Sequence, residues 1–311
     1  MEYRRIGQTD LEASVLGFGC NRIAERDRRE ALATMERAIG AGITYFDTAD
    51  RYGNGASERL LGEVLKGRRD RVIVCSKAGK KYGPLVRIKD RLRPVIKHLR
   101  GRSATAAGAV EAAKKSSLVA SFDPAYIARS VERSLSRLAT DYLDLFLLHN
   151  PPAGAAFDDA LFAALDRLKE RGLIRYIGVS CGPELWGNPE ALAALLARPA
   201  LAALQMRVNL QQPGPIERVL PLTRTAEVSV IAYEPLGKGT LSTDPRLQEA
   251  LAKLPERTPA QAALQFVLQQ PGIAVVLVGA TQRRHLDENL AALTRPHLTD
   301  QEIERLLQVA R

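Results

Sequence analysis

Short apolar runs alternate with longer amphipathic stretches along almost the whole chain. The runs Val15–Phe18, Thr44–Asp47, Arg71–Ser76, Tyr142–Leu148, Arg175–Ser180, Leu201–Gln205, Val228–Tyr233 and Ile273–Val278 predict eight strands. Between them, apolar side chains recur at helical spacing, as in Ala31, Met35 and Ala38, or Ile127, Val131, Leu135 and Leu138. Asp123-Pro124 and Thr258-Pro259 each place an N-cap before a proline at the first helical position. Thr299-Asp300-Gln301-Glu302 has capping-box spacing and opens an extra C-terminal helix after the eighth unit. Gly42, Gly67 and Gly172 follow helical stretches and suit their C-terminal turns. Ahead of the first run, Tyr3–Ile6 and Leu11–Ser14 flank Gly7-Gln8-Thr9-Asp10, the pattern of an N-terminal β-hairpin.

Repeated strand–helix alternation implies an α/β fold with a parallel sheet covered by helices. Eight units in roughly 300 residues fit a closed (β/α)8 TIM barrel better than an open Rossmann sheet. The expected architecture is one barrel domain over residues 1–311. Gly17-Phe18-Gly19-Cys20 stops short of a dinucleotide fingerprint, and neither Gly53-Asn54-Gly55 nor Gly237-Lys238-Gly239 completes a P-loop. One connection breaks the rhythm. From Ala78 to Phe122 the chain runs long between the third strand and its helix, with a short helix expected at Ala104–Lys115.

Composition narrows the class. The 311 residues are 46% hydrophobic and 26% charged, which excludes disordered and collagen-like chains. The longest apolar runs, Ala191–Ala197 and Ile273–Val278, are far too short to span a bilayer. Three scattered cysteines form no pair motif, and the start lacks an apolar leader, so a reduced, cytoplasmic, soluble protein is expected. The net charge of +10 is local: residues 80–115 hold eleven Lys or Arg against Asp90 and Glu111. That stretch has Tyr82 as its only aromatic, so it offers little stacking capacity for nucleic acid. A basic lid that draws anions to the rim is the sharper expectation; a solvated loop is the plain one.

Chemistry in such a barrel belongs at the C-terminal strand ends. Those positions read Asp47, Lys77, His149, Ser180, Gln205, Tyr233 and Gly279. The strings around them are Phe46-Asp47-Thr48-Ala49-Asp50-Arg51-Tyr52-Gly53, Ser76-Lys77, Leu147-Leu148-His149-Asn150-Pro151 and Ile177-Gly178-Val179-Ser180. Tyr233-Glu234-Pro235-Leu236-Gly237 and Leu286-Asp287-Glu288-Asn289 follow. In this order the set resembles the aldo-keto reductase superfamily over nearly the whole chain.

The resemblance implies an NAD(P)H-dependent reductase of aldehydes or ketones, with Asp47, Tyr52, Lys77 and His149 as its catalytic tetrad. Hydride attack builds charge on the carbonyl oxygen, so a proton donor must stand beside it. Tyr52 can donate, Lys77 is expected to lower its pKa, and Asp47 to hold Lys77. His149 can orient the carbonyl. By the same resemblance Ser180 and Gln205 meet the nicotinamide carboxamide and Tyr233 stacks on the ring. Gly19 lines the cleft, Leu236, Gly237 and Gly239 pass the pyrophosphate, and Gly279, Glu288 and Asn289 border the adenosine.

Two departures matter. Cys181 stands where the family often has Asn, which leaves the carboxamide to Ser180 and Gln205. His285 aligns with a position that often carries a phosphate-binding Arg, and Arg283 and Arg284 stand close enough to supply that charge. NADPH is therefore the expected cofactor, with NADH possible. The four histidines show no ligand spacing, so no metal is expected. The expected partner is a small carbonyl substrate, with no nucleic acid or membrane, and the chain is a monomer or weak homo-oligomer. The alternatives are an NAD-dependent sugar or alcohol dehydrogenase, and a non-enzymatic redox-sensing subunit on the same fold.

Overall fold

The computed structural model describes residues 1–82, 118–237, 244–279 and 282–310. The described residues contain twelve strands, numbered in chain order. β1 (Tyr3–Arg5) and β2 (Glu12–Ser14) form the expected antiparallel hairpin. The barrel strands are β3 (Leu16–Gly19), β4 (Tyr45–Asp47), β5 (Ile73–Ala78), β8 (Leu143–His149), β9 (Ile174–Ser180), β10 (Leu201–Arg207), β11 (Ser229–Tyr233) and β12 (Ile273–Val278). They pair in parallel in that order, and β12 closes on β3. A short antiparallel ribbon, β6 (Lys80–Tyr82) with β7 (Leu118–Ala120), stands beyond β5.

Local chemistry explains the helices. Asp123 caps the helix Pro124–Leu138 by accepting from the Tyr126 amide at 2.7 Å. Ile127, Val131, Leu135 and Leu138 on that helix are all buried, as their spacing requires. Thr258 and Gln261 complete a capping box at Pro259–Leu268, and Thr299 with Glu302 does the same at Asp300–Ala310. Gly42 sits at φ 86° after the helix Arg28–Gly40, the left-handed conformation that ends helices cheaply only with glycine.

Among the described residues the buried apolar side chains form two clusters. The larger lies between the strands and the helices; the smaller fills the barrel interior with Tyr45, Cys75, Leu145, Leu147, Ile231, Val275 and Leu277. The hairpin closes the floor of that interior, where Ile6, Leu11 and Ala13 are buried with it. Below them, Arg175 joins Asp10 of the hairpin turn to Asp144 at the start of β8. Asp144 also takes Arg69 at 2.7 Å and the Val74 amide at 2.9 Å.

Several expected boundaries shift. The third barrel strand runs Ile73–Ala78 instead of Arg71–Ser76, because Arg69–Arg71 forms a turn whose charged side chains belong at the floor. Lys77 therefore lies inside the strand, with its side chain fixed by the pleat. The ribbon shows that the long 78–122 connection begins and ends in paired backbone. Residues 83–117, with most of the basic segment and the helix expected at Ala104–Lys115, lie outside the described residues, as does Gly239.

Candidate active site

Three neighbouring strands carry the chemistry. Asp47 ends β4, Lys77 lies in β5, and His149 ends β8; their exposures are 3%, 1% and 4%. The loops above the strands continue the ladder: the Thr48 amide bonds the Cys75 carbonyl (2.8 Å), and the Asp50 amide bonds the Lys77 carbonyl (3.0 Å). Tyr52 then opens a tight turn, Tyr52–Gly55, in which Gly53, Asn54 and Gly55 all have positive φ. A Cβ on Gly53 would lie 2.7 Å from the Ala24 Cβ, so this turn needs glycine for space as well as for conformation.

Lys77 Nζ donates to Asp47 Oδ1 at 2.6 Å and to the Thr48 carbonyl at 2.9 Å. It lies 5.1 Å from the centre of the Tyr52 ring. The Tyr52 ring meets His149 edge-on, with centroids 6.1 Å apart. All four expected tetrad members thus converge on one side of the rim. Burial disfavours the Lys77 charge, but Asp47, aided by Tyr52 and Cys75, outweighs it and holds Lys77 above its ordinary pKa. Burial, with Arg51, Lys77 and Lys80 acting in the same sense, keeps His149 well below its usual value, so the imidazole is neutral. His149 Nδ1 is buried and has no hydrogen-bond partner among the described residues.

The Tyr52 expectation needs correcting. Lys77 does pull its pKa down, yet burial pushes harder, and the phenol stands above its ordinary value of 10.0. Desolvation of a phenolate outweighs one neighbouring cation already shared with Asp47.

The residues expected at the cofactor are spread over the other strand ends. Gln205 in β10 is 3% exposed, and its Nε2 donates to Asp47 Oδ2 at 2.6 Å. Ser180 at the end of β9 donates to Asn150 Oδ1 at 2.8 Å. Tyr233 at the end of β11 and Leu236 just beyond it are half-buried, and Gly19 is half-buried at the end of β3. Gly237, at φ 57°, donates its amide to the Glu234 carbonyl. Gly279 is exposed just past β12, and a Cβ there would meet no described atom within 4 Å. Arg283 and Arg284 are exposed on the first turn of the helix Arg283–Ala291, whose N-cap Gln282 makes no side-chain capping bond. Asn289 is buried on that helix, while Glu288 is exposed and accepts from the Thr258 hydroxyl at 3.3 Å. An open glycine corner beside an uncapped helix start with two cations fits a phosphate group.

Sequence reasoning passed over four neighbours. Asn150, at φ 50°, occupies Ser180. Glu58, wholly buried, takes Ser76 Oγ and Arg137 Nε. Asp50 stands beside Glu58, and burial plus that carboxylate raise its pKa to about 7. Arg51 stacks over Tyr52 at 5.6 Å. Each lies in or beside a string already singled out, but no periodicity marks its partner. Cys181 is 1% exposed, and burial pushes its thiol up to about 12, consistent with its lack of an assigned role. Among the described residues no group of three or more His, Cys, Asp or Glu could hold a metal ion, and no helix is long and apolar enough to cross a membrane.

Comparison with known proteins bears on the fold and the family. The sequence model of the aldo/keto reductase family matches residues 15–311. The uncharacterized oxidoreductase YqkF of Bacillus subtilis (strain 168) is 28% identical over 331 residues, covering 98% of this chain and 95% of its own. The holo form of aldo-keto reductase AKR11C1 from Bacillus halodurans superposes with a TM-score of 0.80 at 28% identity, over 100% of this chain and 97% of that one. An aldo-keto reductase from Klebsiella pneumoniae in complex with NADPH gives 0.72 at 25% identity, over 99% and 95%.

Proposed function

The chain belongs to the aldo/keto reductase family, and from that premise we propose that it reduces an aldehyde or ketone to the alcohol with NADPH, NADH being the weaker alternative. The observation that carries this reading is the buried Asp47–Lys77 pair beneath Tyr52, with neutral His149 at the ring edge. The dinucleotide, when bound, supplies the hydride. The NADPH complex of the Klebsiella pneumoniae relative supports that choice of cofactor.

Tyr52 is the proton donor. Its raised pKa keeps the phenol protonated until a carbonyl oxygen develops negative charge beside it. Lys77 then favours the phenolate left behind, so its attraction acts most strongly as the proton departs. Asp47 fixes the ammonium, and the Gln205 amide fixes the second Asp47 oxygen. Neutral His149 donates one N–H toward the carbonyl oxygen and sets its direction.

The cofactor's 2′-phosphate is assigned to Arg283 and Arg284, beside the open Gly279 corner, and Glu288 and Asn289 to the adenosine. Gln205 and Ser180 reach the carboxamide from hydrogen bonds they already make, so binding there requires sharing or exchange of those bonds. The test is loss of reduced-cofactor absorbance over a panel of aldehydes and ketones with NADPH and NADH. Turnover with NADPH is expected; no turnover with either cofactor removes the reading. Replacing Arg283 and Arg284 together by Ala should weaken NADPH binding by about tenfold more than NADH binding. Equal weakening would place the phosphate elsewhere.

A further inference from the structure

The mouth of the site carries more positive charge than its chemistry uses. Lys77 is neutralised by Asp47, but two further cations stand over the same groups. Arg51 directly precedes Tyr52, and its guanidinium lies 5.6 Å from the phenol ring centre. Lys80 opens the ribbon two residues beyond β5 and is half-buried. Neither makes an ion pair among the described residues, and Arg51 Nε is buried without a hydrogen-bond partner. The two charges feel each other: burial and Arg51 lower the Lys80 pKa, against a weaker pull from exposed Glu184. Both also act on His149. Asp50, the carboxylate next to Arg51, is attracted more by Arg137 than by Arg51, makes no ion pair with the Arg51 guanidinium, and has one oxygen without a hydrogen-bond partner.

Two neighbouring, partly desolvated cations that feel carboxylates only at a distance, with no ion pair among the described residues, are a costly arrangement unless an anion completes it. The cofactor's phosphates do not meet this need on the proposed reading. Arg51 and Lys80 follow β4 and β5 and His149 ends β8, three adjacent strands, whereas the segments assigned to the cofactor's phosphates follow β11 and β12.

We propose that Arg51 and Lys80 form an anion subsite beside Tyr52 and His149, so that the preferred substrate is a carbonyl compound bearing a carboxylate or phosphate. Arg51 provides a planar donor fork and Lys80 a mobile point charge, a combination suited to either anion. The carbonyl is thereby tethered at one end while Tyr52 and His149 receive its oxygen at the other, a gain in orientation. This inference rests on the reductase reading.

The test uses matched carbonyls with NADPH: succinic semialdehyde against butanal, and glyceraldehyde 3-phosphate against glyceraldehyde. In at least one pair the anionic member should have the higher kcat/KM, and that pair identifies carboxylate or phosphate. Arg51→Met and Lys80→Met should each reduce the anionic-to-neutral ratio, by about 10- to 100-fold for Arg51, chiefly through KM. If both members fall together, Arg51 only tunes Tyr52 and the inference is overturned. Turnover of the neutral members without any anionic preference also overturns it, while leaving the reductase reading intact. If nothing is turned over, the reductase reading fails. Calorimetric titration of succinate and of inorganic phosphate into the protein with NADP⁺, compared between parent and Arg51→Met, then decides the subsite separately. Binding weakened in the variant upholds it; equal binding overturns it.

Discussion

Asp47 and Asp144 are both carboxylates of barrel strands, both 3% exposed, and both have each oxygen engaged. They sit at opposite ends of the strands. At the floor, Asp144 is clamped by Arg69, Arg175 and a backbone amide, and through Arg175 it reaches the hairpin that closes the barrel. At the rim, Asp47 holds Lys77 and Gln205, which on the proposed reading border the reacting groups. The cations differ in kind. Arginine stays charged and offers a rigid fork, which suits a permanent clamp, whereas the compact ammonium of lysine can stabilise a phenolate as it forms. A buried carboxylate in this fold therefore signals stability or chemistry according to its end of the strand and the identity of its cation.

Perturbing each end separates the two roles. The largest effect is expected for Tyr52→Phe, which should lower kcat/KM by about 10²- to 10⁴-fold while the thermal midpoint stays put. A loss below tenfold, read by cofactor absorbance, would take the proton donor role from Tyr52. Lys77→Met should cost turnover comparably and also destabilise the fold by about 3–5 kcal/mol in urea titrations, because it leaves Asp47 buried and uncompensated. Near-parental rates in that variant would break the comparison at the rim. Asp144→Ala should show the converse, with stability reduced by about 3 kcal/mol and kcat per folded molecule retained. A collapse of kcat without loss of stability would mean that the floor takes part in catalysis.

The smallest effect concerns Asp50, a rim carboxyl with one oxygen that lacks a hydrogen-bond partner. Its folded pKa, raised to about 7 from 3.8, means that the native chain keeps a proton there that the unfolded chain has released between about pH 4 and pH 7. Its contribution to stability therefore declines as pH rises through that window. Asp50→Asn should flatten this decline, measured as thermal midpoints at pH 5, 6 and 7; identical slopes would show that Glu58 and Arg137 already settle its charge.

The barrel and its hairpin were legible because each depends on local patterning, and the four residues that the family resemblance marks as a tetrad do meet at one side of the rim. Strand runs end in Asp47, Lys77 and His149, and Tyr52 follows a string with a recognisable glycine turn. Gln205 was found as a rim residue, but its bond to Asp47 was not foreseen, since that contact depends on the closure of the barrel. The Asp50–Glu58 neighbourhood escaped for a related reason: its countercharge, Arg137, comes from a helix far along the chain. The Tyr52 shift was misjudged because charge is visible in a sequence and desolvation is not.

The Gln205–Asp47 bond has a consequence for how the molecule comes together. In the closed order of eight strands, β10 stands directly opposite β4, so this bond crosses the mouth of the barrel and links residues 158 apart in sequence. No half-barrel can contain it. A nascent chain that has completed β4, β5 and β8 already holds Asp47, Lys77 and His149, yet Asp47 keeps one oxygen unclaimed until β10 arrives and the wall closes. Loop-closure entropy places such a distant contact late in folding. The reacting groups would thus acquire their final rigidity in the last stage of assembly, and refolding followed by recovered turnover should lag behind refolding followed by secondary structure.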